Sequence, residues 1–129
     1  MQYIVHKRFK GHAICGDVNL PAMTICEKVE GMLMLNGKPV CAAISENAHQ
    51  YFARDDDGNG IKRGNLTQRI IKLLSKKDGL YQKRWDKVWA DRLCQKYKMK
   101  EFADHWLWNH AFYNAAIEDL VYIANLIGA

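Results

Sequence analysis

The apolar periodicity of this chain changes near its middle, and that change limits the architecture more than any other feature. Before Asp55 apolar and polar residues alternate in short runs broken by Gly, Pro and Asn; after Asn65 apolar residues recur every three or four positions. Strands first and helices afterwards point to an α+β fold, with an N-terminal curled antiparallel sheet of about five strands packed by C-terminal helices. Its 129 residues suit one domain with its own core, mainly strands plus a short helix over 1–53 and helical over 65–129.

Within the first half, Tyr3, Val5 and Lys7 alternate against Ile4, His6 and Arg8, and Lys10–His12 reads as a turn before Ala13–Leu20. Asn36-Gly37 is the sharpest local signal, because both residues tolerate positive φ and a two-residue type I′ hairpin needs it. Pro39 just after it predicts an edge strand, since proline donates no ladder hydrogen bond. Ser45 is placed to cap a short helix, ENAHQYFA. In the second half, Asn65 or Thr67 is the expected cap of a helix that buries Leu66, Ile70, Leu73 and Leu74 while Arg69, Lys72, Lys76 and Lys77 face out. A helix is predicted over 81–100 with Tyr81, Trp85, Val88, Trp89, Leu93 and Tyr97 on one face. A last one buries Ile117, Leu120, Val121, Ala124 and Ile127 and ends at Gly128.

The junction, Asp55 to Gly64, carries the chemistry. Gly58, Gly60 and Gly64 let backbone amides approach a ligand, Lys62 and Arg63 add charge, and the following helix turns its positive end toward them. That composition suits a phosphate, and it equally suits a plain Gly/Asp turn between two halves of a domain. Asp55-Asp56-Asp57-Gly58-Asn59-Gly60 also matches the first half of a calcium loop, but position 12 is Leu66 where a bidentate Glu is required. Asp55 and Asp57 hold the minimum pair of carboxylates for a metal-dependent nuclease, without a recognisable further ligand. No metal and no cofactor is expected.

Charge is unevenly spread. Residues 62–101 carry thirteen Lys/Arg against four Asp/Glu, whereas residues 1–61 carry six against seven. A field of that kind attracts polyanions. Arg84 and Arg92 add cations beside aromatic residues, and Trp106 and Trp108, about 200° apart on a helix, cannot both face inward. With Asn109 they are candidates to stack on and bond a base. His105 and His110 miss the four-residue spacing of a zinc pair, and no nucleophile motif occurs, so a non-enzymatic role is expected. Cys15, Cys26, Cys41 and Cys94 lack CxxC spacing and read as buried free thiols. The absence of a long apolar run and of a secretion signal at the N-terminus predicts a cytoplasmic protein without a membrane partner.

FKGHAICGDVNLP, SENAHQYFARDDDGNG, YQKRWDKVW and ADHWLWNH together resemble small proteins of phages and prophages of Gram-positive bacteria. Such proteins are similar in kind to anti-defence factors, the nearest in character being the Thoeris anti-defence sponge, an oligomer with an N-terminal antiparallel sheet and C-terminal helices. The resemblance implies a homo-oligomer that sequesters a nucleotide immune signal, cyclic ADP-ribose or a cyclic oligonucleotide, without catalysis. The site expected for that ligand is Gly58, Gly60, Lys62, Arg63, Gly64, Arg84, Arg92, Trp106, Trp108 and Asn109. The alternatives are an anti-CRISPR-like inhibitor that binds nucleic acid or a defence protein, and the Asp55/Asp57 nuclease.

Overall fold

The computed structural model describes residues 1–97 and 111–129. The fold is α+β, and the chain divides into two compact units, Met1–Gly64 and Asn65–Ala129.

The first unit is built on a five-stranded antiparallel sheet in the order β6-β5-β4-β1-β7, comprising β1 (Gln2–Val5), β4 (Ile25–Val29), β5 (Met32–Leu35), β6 (Lys38–Ala42) and β7 (Phe52–Arg54). Asn36 and Gly37 take φ of 52° and 77° and join β5 to β6, as the hairpin reading required. Pro39 lies on β6, an edge strand of that sheet. Lys10–His12, expected as a turn, instead lies in β2 (Phe9–Ala13), which pairs with β3 (Gly16–Leu20) from Phe9↔Leu20 to Ala13↔Gly16. The reversal comes at Ile14 and Cys15, where Phe9 and Leu20 can both reach the core. Those two tip residues donate their amides to Val40 O and Pro39 O at 2.9 and 3.0 Å, so the hairpin tip covers part of the β6 edge.

Ser45 caps α1 (Glu46–Tyr51) as expected, accepting from Ala48 N at 3.2 Å. Phe52 and Ala53, read from sequence as the tail of that helix, leave it and with Arg54 pair with β1, because Phe52 is thereby buried in the cluster that holds Tyr3, Val5 and Phe9. Cys26 and Cys41 are buried free thiols, and burial, with Cys41 nearby, pushes Cys26 up to about 11. Cys15 differs from expectation in being exposed.

α2 (Gly60–Leu74) crosses the boundary between the units. The second unit continues with α3 (Tyr81–Ala90), α4 (Arg92–Lys96) and α5 (Ile117–Ile127). Leu66, Ile70, Leu74, Trp85, Val88, Leu93, Leu120 and Ile123 are among its core. The single helix expected over 81–100 breaks at Asp91, whose extended backbone and carboxylate cap α4 by accepting from Leu93 N at 3.0 Å. On α5 the stripe is Leu120, Ile123, Ala124 and Ile127, at i, i+3, i+4 and i+7; Val121, expected inside, sits 100° off it and is 38% exposed. Lys96 and Tyr97 both donate to Asp119, and Tyr122 donates to Asp91 at 2.7 Å, which ties α5 to the α4 region. Among the described residues no helix is long and apolar enough to cross a membrane.

Candidate functional site

At the start of α2 the anion expected from outside is supplied from within. Asp55 Oδ1 accepts from Gly60 N at 2.7 Å, Asp57 Oδ1 from Asn59 N at 3.0 Å, and Asp56 Oδ1 from Gln2 N at 2.7 Å. Asp55 therefore supplies an acceptor to the first amide of the helix and Asp57 to the residue before it, while Asp56 ties the turn to β1, and α2 begins at Gly60 and not at Asn65 or Thr67. Arg63 is fully buried and forks onto Asp57 at 2.7 and 3.2 Å, with a further bond to the Arg54 carbonyl. That fork holds the Asp57 carboxyl well below its ordinary range.

The glycines have a packing role as well. A Cβ on Gly60 would come within 2.7 Å of Asp55 Oδ1, and one on Gly64 within 2.6 Å of His6 Cδ2. Gly60 and Gly64 admit close approach of β1 and the acidic turn to the helix; they do not present open amides to a ligand. Gly58, at φ 75°, makes the turn itself. Of the ten residues expected to bind nucleotide, this removes Gly60, Arg63 and Gly64 from an open anion site and leaves Lys62 exposed on the first unit. Burial, with Lys7 nearby, lowers the His6 imidazole to about 4, so it is neutral at pH 7.

Arg84 has a similar fate in the second unit. It is 6% exposed, forks onto Asp78 at 2.8 and 3.4 Å and donates to Lys76 O at 2.9 Å, while Trp85 Nε1 donates to Leu74 O at 2.9 Å. Trp85 closes the carbonyl of the last α2 residue, and Arg84 braces the turn after it, where Lys76 O also accepts from Asp78 N. Arg84 is thus engaged within the turn, and its fork holds the Asp78 carboxyl low. Arg92 opens α4 and is exposed. Trp106, Trp108 and Asn109 lie outside the described residues.

Among the described residues of the second unit, an open positive site lies elsewhere. Arg69, Lys72 and Lys76, at i, i+3 and i+7 of α2 and the turn after it, rim a hollow of about 340 Å³ whose other lining residues are Leu73, Gly128 and Ala129. Arg69 and Lys72 are exposed and form no ion pair among the described residues; Lys76 Nζ lies 3.7 Å from Asp78. The C-terminal end of α5, at Gly128, brings about half a negative charge, and Asp78 partly offsets Lys76, which leaves Arg69 and Lys72 as the cations without an ion pair among the described residues. The outward spacing of these residues was legible in the sequence; the hollow beside them, which needs Gly128 and Ala129, was not.

Among the described residues no three His, Cys, Asp or Glu side chains cluster to hold a metal ion, and Asp55, Asp56 and Asp57 each accept a hydrogen bond from within the unit. No protein family, curated protein or solved structure matches the chain.

Proposed function

We propose that this protein is a non-catalytic binder of a phosphate-bearing small ligand, a nucleotide, and that it acts by sequestration. The observation that carries the reading is the hollow rimmed by Arg69, Lys72 and Lys76 over Leu73. Its volume is at the lower end of small-molecule sites, its rim suits phosphate oxygens, and its apolar floor suits the rest of the ligand. The described lining includes no carboxylate, imidazole, hydroxyl or thiol side chain for acid–base or nucleophilic chemistry, which favours holding a ligand over turning it over. The phage-like segments suggest the biological role: a homo-oligomeric sponge for a nucleotide immune signal such as cyclic ADP-ribose.

Titration calorimetry with a panel of cyclic and linear nucleotides tests this, with native mass spectrometry reading stoichiometry and intact release. Arg69→Glu with Lys72→Glu should weaken the nucleotide about a hundredfold, two charge-assisted hydrogen bonds at about 1.5 kcal/mol each. Unchanged affinity would remove the hollow from the site. A nucleic-acid ligand is the second reading, favoured by the +9 balance of residues 62–101. It predicts affinity that falls steeply and log-linearly with salt, where a hollow holding one nucleotide responds weakly.

A further inference from the structure

The first unit carries a positive surface of its own, on the β2–β3 hairpin. Arg8, just before β2, and Lys10 on it stand against Asp17 there, a balance of +1; the rest of residues 1–61 holds four Lys/Arg against six Asp/Glu, a balance of −2. Outside that ribbon residues 1–61 are net negative.

The inner face of that ribbon, Phe9 and Leu20 with Ala13 and Val18, packs on the core. Its outer face carries the cross-strand pairs Lys10↔Asn19 and His12↔Asp17. Arg8 Nη1 donates to Asn19 Oδ1 at 2.7 Å, which sets the guanidinium beside the amide, and His12 pairs with Asp17. A hollow of about 450 Å³ lies along this surface, lined by Lys10, Gly11, Asp17, Val18 and Asn19. All four outer side chains and Arg8 are exposed.

We infer that the outer face of the β2–β3 ribbon is a nucleic-acid contact that enters the major groove of a duplex. A two-stranded ribbon is one of the two elements that the major groove admits, and five paired residues give it a length of roughly 17 Å. The side chains match the chemistry of that groove. Arg8 and Lys10 suit phosphates and the guanine edge, Asn19 the adenine edge, and the Asp17 carboxylate accepts from cytosine N4. The inference is independent of the α2 hollow, whose residues belong to the second unit.

Mobility shift and fluorescence anisotropy with a 20-base-pair duplex, across a salt series, test the full-length protein. Arg8→Ala with Lys10→Ala should weaken the duplex about tenfold and lower the salt slope by about two, one for each phosphate contact. Asn19→Ala should reduce the difference between duplexes of different sequence with little change in that slope. Both variants alter exposed residues, and an unchanged circular dichroism melt confirms that they fold. The inference is overturned if the duplex does not bind, or if single strands compete on equal terms. It is also overturned if an acidic peptide binds the ribbon where the duplex does not. Loss of the shift with Arg69→Glu and Lys72→Glu but not with the ribbon variants assigns the duplex to α2 and likewise overturns it. Loss of nucleotide binding alone in that α2 variant leaves the ribbon assignment standing.

Discussion

Arg63 and Arg69 lie six residues apart on one helix and are chemically identical, yet their environments are opposite. Arg63 belongs to the first unit, is fully buried and is matched by a bidentate carboxylate. Arg69 belongs to the second, is exposed, and with Lys72 rims an open hollow without an ion pair among the described residues. The first is a structural cation, the second an available one. A tally of charge along the sequence counts them equally, although only an unmatched cation in reach of solvent can exchange water for a phosphate.

The largest expected effect falls on the buried side of that comparison. Arg63→Ala should cost about 4 kcal/mol in urea unfolding, because it empties a fully buried side-chain site and removes the bond to the Arg54 carbonyl, whereas Asp57, 39% exposed, can turn to water. A loss below about 1 kcal/mol would mean that Arg63 is as dispensable to folding as a surface cation, and the contrast would collapse.

The pH dependence comes next. His6 lies at about 4 in the folded protein against an ordinary 6.5, so between those values the unfolded chain holds a proton that the folded one lacks. Stability should rise with pH through that window, by about 3 kcal/mol in all, be complete above 6.5 and be lost as pH falls toward 4. His6→Asn should flatten this slope between pH 4.5 and 6.5. Asp57 stays out of that window, because its depressed carboxyl gives up stability only below its ordinary 3.8. An equal slope in wild type and variant would place the titration elsewhere.

Gly64→Ala sharpens the point about the glycines. Helix propensity alone predicts a gain of about 1 kcal/mol, but the new Cβ would overlap the base of the His6 ring, and overpacking costs about 1–3 kcal/mol. The net expectation is a loss of about 1 kcal/mol in thermal or urea unfolding; a stabilised variant would show the helix start to be loosely seated. Smallest of all is the effect on folding of the Arg69→Glu and Lys72→Glu pair. It should change the unfolding free energy by no more than about 0.5 kcal/mol per site while weakening the nucleotide about a hundredfold.

Local rules carried far into this fold. Asn36-Gly37 turns where two adjacent positive φ values are needed, Ser45 caps α1, Gly128 closes α5 in a left-handed conformation, and Pro39 lies on an edge strand. Each is settled by residues within a few positions, which is why sequence sufficed. The failures share the opposite cause. Phe52 and Ala53 read as helix until β1 offers them a partner, Lys10–His12 reads as a turn until Leu20 lies across from Phe9, and Asp91 splits a helix that the apolar spacing alone would continue.

The candidate site divides along the same line. Sequence by itself determined that the chain is α+β, that its positive charge gathers after Gly60, and that Arg69, Lys72 and Lys76 share an outward face. Tertiary structure alone decided which cations remain available. Ion pairing depends on carboxylates brought within about 3 Å by the turn of the chain, and Coulomb energy and desolvation both change steeply over that distance. Asp57 meets Arg63, Asp78 meets Arg84, and no carboxylate among the described residues meets Arg69 or Lys72.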